Sequence, residues 1–64
     1  MTPDDLIRLL RKHGFELMRM KGSHQIFKNS TTGKMTVVPM HKRDLPKGTL
    51  LAILKQAGID KDEL

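Results

Sequence analysis

Apolar residues at Leu6, Leu9 and Leu10, flanked by Ile7, recur at the spacing of a helix with one buried stripe. The polar positions around them agree. Thr2 can cap free backbone N–H groups, Pro3 fits a first helical position, and Asp4 and Asp5 favour the positive end of the helix dipole. Arg8, Arg11 and Lys12 take the wet side and the C-terminal end, and Gly14 supplies a stop. The pattern predicts a helix over 3–13. From Phe15 to Met20 the helical period is lost: Phe15, Leu17 and Arg19 alternate with Glu16, Met18 and Met20, a strand whose buried face the alternation does not choose. Lys21-Gly22-Ser23 has turn chemistry, His24 to Lys28 is rich in strand formers, and the polar run Asn29 to Gly33 reads as a hairpin loop. Met35 to Val38 predicts a third strand, ended by Pro39, which has no N–H for a central ladder. After a basic connection over 40–44, Leu45-Pro46 is expected to open a second helix with Asp44 as its cap. Its apolar positions are Leu50, Leu51, Ile53, Leu54 and Ala57. Gly58 should end that helix, Ile59 can fold back on its last turn, and residues 60–64 are expected to fray.

The predicted order is α-β-β-β-α in a single domain spanning residues 1–64, with no repeat, linker or low-complexity segment. Two amphipathic helices can cover only one face of a three-stranded antiparallel meander, so the other face stays open. This α+β layout resembles a double-stranded-RNA-binding domain, in which helices and a loop meet the nucleic acid by shape and phosphate contact.

Composition narrows the function classes. The chain has 64 residues, 38% of them hydrophobic, with twelve Lys and Arg against seven Asp and Glu for a formal charge of +5. A domain of this size buries only roughly 60% of the surface its unfolded chain exposes, so its own stability is marginal. Cysteine is absent, which excludes thiol nucleophiles, thiolate zinc fingers, iron–sulfur clusters and disulfide scaffolds. Support must come from economical packing, an oligomer or a partner. No apolar run approaches the roughly 20 residues of a bilayer span, and the acidic start lacks the form of a signal peptide; a cytoplasmic protein with no membrane partner is expected. The positive charge points to a polyanion: nucleic acid, an anionic membrane surface or an acidic protein.

Three histidines are the candidates for chemistry. In Gly22-Ser23-His24 the glycine permits a tight turn and the histidine stands at the rim of the sheet. An imidazole there suits proton transfer at neutral pH, and equally suits an inert surface position at a strand start. His41, in Pro39-Met40-His41-Lys42-Arg43, sits beside two cations that favour its neutral form, fit for a base or for phosphate contact. His13, at the end of the first helix, is expected to be structural. No pair has the spacing of a metal site, so neither metal nor other cofactor is expected. Lys21, Lys28, Lys34, Lys42, Arg43 and Lys47 concentrate in turns, strand ends and the approach to the second helix, where they can form a basic rim around the open face. Phe15 and Phe27, the two aromatics, read as core, which argues against base-stacking single-strand modules. Met18, Met20 and Met40 can fill gaps or join a partner surface.

The succession Gly14-Phe15-Glu16, Lys21-Gly22-Ser23-His24, Val38-Pro39-Met40-His41, Leu45-Pro46-Lys47-Gly48-Thr49-Leu50 and Ile53-Leu54-Lys55-Gln56-Ala57-Gly58-Ile59 resembles the HicA toxin family from about residue 3 to residue 59. Gly-Ser-His alone is a weak motif; its order and spacing with Pro-x-His and the second helix make the combination specific. Phe15 stands where many members carry a bulkier aromatic, often tryptophan, and keeps the packing role. The resemblance implies a toxin of a type II toxin–antitoxin system, an mRNA interferase that cleaves mRNA independently of the ribosome and is neutralised by a HicB antitoxin, within a complex whose order the sequence leaves open. It places the family's functional histidine at His24. The mechanism it suggests is metal-independent, with His24 as general acid or base, Lys21, Ser23, Lys28, Lys42, Arg43 and Lys47 as RNA contacts, and His41, a lysine or water as second proton carrier. A non-catalytic RNA-binding module of the same fold is the alternative. A DNA-binding regulator is a weaker one, because the second helix offers few side chains to read bases.

Overall fold

A computed structural model describes residues 1–40 and 43–64. The order is α1 (Pro3–Lys12), β1 (Phe15–Lys21), β2 (His24–Asn29), β3 (Met35–Pro39), α2 (Lys47–Ala57) and a closing 3-10 turn, Lys61–Glu63. The strands form an antiparallel sheet in the order β1-β2-β3, leaving β1 and β3 as edges. The expected α-β-β-β-α architecture is the one found.

Helix α1 begins with a reciprocal cap. Thr2 Oγ1 accepts from the Asp5 N–H at 3.2 Å, and Asp5 Oδ2 accepts from the Thr2 N–H at 3.1 Å. Its apolar stripe puts Leu6 and Leu10 wholly out of solvent, where they meet Phe15, Phe27 and Val38 from the sheet and Leu50, Ile53, Leu54 and Ala57 from α2. Every strand residue in this core lies on the same side of the sheet, so both helices pack on that face. Phe15 and Phe27 are core, as their sequence context suggests, and the Arg11 guanidinium lies 5.8 Å from the Phe27 ring centroid. A part-buried hydrogen bond, donated by Thr36 Oγ1 to Gln56 Oε1 at 3.0 Å, fixes α2 over β3.

Two expectations are corrected. Asp44 does not cap α2: the N-cap is Pro46, with no side-chain hydrogen bond, and the Asp44 carboxylate stands 3.9 Å from the Met1 amino group. The approach to α2 is held instead by buried Leu45, whose N–H donates to the Met1 carbonyl at 2.9 Å. The chain beyond Gly58 does not fray. Gly58 adopts a left-handed conformation (φ +70°), the Ile59 N–H returns to the Leu54 carbonyl at 2.9 Å, and Ile59 is buried. Asp60 then caps the 3-10 turn, whose Glu63 carboxylate lies 3.3 Å from His13 Nε2. His13 thus has a structural position, closing α1 and meeting the C-terminal turn. No described helix is long and apolar enough to cross a membrane.

Candidate functional site

The Gly-Ser-His triplet is a hairpin turn. Lys21 and His24 are cross-strand partners, so Gly22 and Ser23 are the two central residues of a two-residue loop. Gly22 has φ +60° and Ser23 does not have positive φ, the pattern of a type II′ turn, whose twist matches that of the strands. Nothing lies within 4 Å of the Cβ that a side chain at Gly22 would add. Glycine is required there for its conformation, not for space. The consequence for chemistry is positional: His24 is the first residue to rejoin the sheet. Its neighbours are Lys21 across one side and Pro39 across the other. The Ser23 carbonyl accepts from the Met40 N–H at 2.7 Å, which ties the turn to the end of β3.

Register decides which face His24 uses. Phe27 and Val38 are fully buried beneath the helices. Alternation along β2 and β3 therefore sends His24, Ile26, Lys28, Met35, Val37 and Pro39 to the opposite, open face. His24, Lys21 and Ser23 are all exposed. Direct cross-strand partners have Cβ atoms about 5 Å apart, so the Lys21 ammonium and the His24 imidazole can reach one substrate group together. Lys28 shares the face four residues along β2, roughly 13 Å away at strand rise, opposite Glu16 on β1 and Met35 on β3.

The remaining expected contacts divide. Arg43 and Lys47 are exposed but stand off the sheet, in the connection and at the first residue of α2. Lys34 is not part of the rim around the open face: its side chain lies over Gly58, with Nζ 2.8 Å from the Cβ position there, at the C-terminal end of α2. His41 and Lys42 lie outside the described residues.

One residue of the open face escaped the sequence pattern. Leu17 pairs with Phe27, but Arg19, not Met18, pairs with Ile26, so a β-bulge at Met18 interrupts β1. Strict alternation would place Arg19 on the side of Phe15. The bulge moves it to the side of Ile26, Lys21 and His24. No residue type marks the bulge in advance, since Met18 is flanked by ordinary strand formers. The exposed Leu17 and Met20 are on the helix side of β1, beyond the reach of the helices.

No curated protein gives a significant match to this sequence. The family model described as "HicA toxin of bacterial toxin-antitoxin" matches residues 3–59, the same stretch that carries both helices, the sheet and the Gly-Ser-His turn, and the chain belongs to the HicA toxin family.

Proposed function

We propose that this toxin is a metal-independent endoribonuclease that cleaves mRNA, with His24 as a proton-transfer group. The observation that carries the reading is the placement of an exposed imidazole on an uncovered sheet face, directly across from a lysine. RNA brings its own nucleophile. The 2′-oxygen attacks the adjacent phosphorus, its proton passes to a base, the bond from phosphorus to the 5′-oxygen breaks, and that oxygen takes a proton from an acid. The products are a 2′,3′-cyclic phosphate and a free 5′-hydroxyl. His24 fills one of the two proton-transfer roles. Lys21, beside it, offsets the charge that builds on the phosphorane oxygens. Ser23 and Lys28 contact the strand nearby and further along β2, and the cations Arg43 and Lys47 extend the contact beyond the sheet; Lys42 is the remaining RNA contact of this reading. The second proton carrier is His41, a lysine or water.

Inhibition follows from the same face. An acidic HicB antitoxin laid over the open sheet buries His24 and excludes RNA, and long-range attraction to the +5 chain speeds its docking. Purified protein incubated with RNA in the presence of chelator should yield cyclic-phosphate ends. His24→Ala should lower the rate by about 100-fold or more, the usual scale for losing a general acid or base, without loss of folded structure. Equal cutting of a deoxy substrate, or full activity of His24→Ala, overturns the mechanism. RNA binding without new ends favours the non-catalytic module.

A further inference from the structure

We propose that Arg19 is the phosphate-binding residue of this site, its guanidinium clamping the RNA phosphate on which His24 acts; the assignment rests on the ribonuclease reading above. Three observations place it. First, the bulge at Met18 sets Arg19 opposite Ile26 on the open face, two pairs along from Lys21 and His24 and so the next pair on that face. Arg19 is thus the diagonal neighbour of His24, with backbones roughly 7–8 Å apart, within reach of one phosphate for a long side chain. Second, Arg19 is exposed, and among the described residues no carboxylate lies within 4 Å of it, whereas Arg8 is engaged with Asp5 at 3.1 Å and Arg11 stands over Phe27. Third, the cation directly across the strands from His24 is an ammonium, that of Lys21. A lysine is a point charge, but two non-bridging phosphate oxygens match the planar fork of a guanidinium, which fixes orientation as well as charge. Strand bulges recur where a side chain has to be re-aimed, and here the re-aimed side chain is the arginine.

The division of labour is then specific. Arg19 holds the two non-bridging oxygens, Lys21 approaches the same phosphate from the turn, and His24 is left free to move a proton. Replacement by lysine keeps the charge and loses the fork, so it should separate binding from turnover.

The test measures binding and cleavage apart. A 2′-O-methyl RNA oligonucleotide, which lacks the nucleophile, reports binding across a salt series; an unmodified RNA reports kcat and KM. Arg19→Ala should reduce the slope of log K against log salt by about 0.7, the share of one phosphate contact on a single strand, and lower kcat/KM about 100-fold. Arg19→Lys should keep the slope and lose kcat. Lys12→Ala, in the helical layer, should change neither. Arg19→Gln, with circular dichroism as the check on folding, repeats the loss should the alanine variant unfold. A slope and turnover for the Arg19 variants equal to those of Lys12→Ala overturn the assignment. If the unaltered protein leaves RNA intact while Arg19→Ala still flattens the salt slope, the ribonuclease reading fails and the phosphate contact stands.

Discussion

Asn29 shows how much one side chain can organise in a chain with little core. It is buried, and its amide uses both ends. Nδ2 donates to the His13 carbonyl at 2.9 Å, while Oδ1 accepts from the Thr31 and Thr32 N–H groups at 2.9 and 3.2 Å. One residue thereby ties the end of α1 to β2 and shapes the loop into β3. Gly14, at φ +90°, lies against it: a Cβ there would stand 3.3 Å from Nδ2. Asn29→Ala should cost about 1–3 kcal/mol, the range for leaving part-buried polar groups unpaired. For a domain of this size each kcal/mol lowers the melting temperature by roughly 4–8 °C, which thermal denaturation followed by circular dichroism will read. A fall of less than a degree would mean that water replaces all three contacts. The sequence reads Asn29 as the first residue of a polar loop, whereas the fold makes it the last residue of β2, paired with Phe15; its role was hidden because the partners at His13 and Thr31 are brought to it only by the fold. Gly22 differs: its need for positive φ follows from the turn alone, and the turn was legible.

At the scale of elements, the ends were legible where they are local and illegible where they are not. The Thr2 cap uses groups three residues apart, so a short stretch of sequence contains the whole interaction. Asp44 fails as a cap because Leu45 and Pro46 intervene before the helix begins at Lys47, and its carboxylate is drawn toward Met1. The bulge in β1 depends on how β1 meets β2, so alternation within β1 could not reveal it. The α1 cap also carries a pH dependence. The Thr2 backbone N–H, followed by the Thr2 side chain and then the nearby Arg8 charge, holds the Asp5 carboxyl below its ordinary value. A carboxyl whose folded value is depressed stabilises the fold above its unfolded value and loses that contribution as pH falls through the folded one. Asp5→Asn should therefore lower the melting temperature near neutrality and converge with the unaltered protein in strong acid. Thr2→Ala should cost about 1 kcal/mol at neutral pH. A gap between Asp5→Asn and the unaltered protein that stays constant with pH would remove the carboxylate from the account.

The whole molecule is a thin slab, 30 × 29 × 16 Å across its Cα atoms, with both helices on one face of the sheet and the other face uncovered. That layering was legible in the sequence, because two amphipathic helices have only one side of three strands to cover. The distribution of charge over the two sides was not, because it depends on register. Lys21 and Lys28 are on the open face with Arg19, while Lys12 and Lys55 belong to the helical layer. The Debye length at physiological salt is about 8 Å, half the thickness of the slab, so cations on the helical side are screened from a strand lying on the sheet. Net charge and contact charge are thereby separable. Alanine at Lys21 or Lys28 should flatten the salt dependence of RNA binding by about 0.7 in log–log slope, whereas alanine at Lys12 or Lys55 removes the same formal charge and leaves the slope alone. Measured on a 2′-O-methyl oligonucleotide, four equal slopes would mean that RNA responds to the total charge of the chain and not to the open sheet. A reduced slope for the helical-layer pair alone would move the binding face to the opposite side of the molecule.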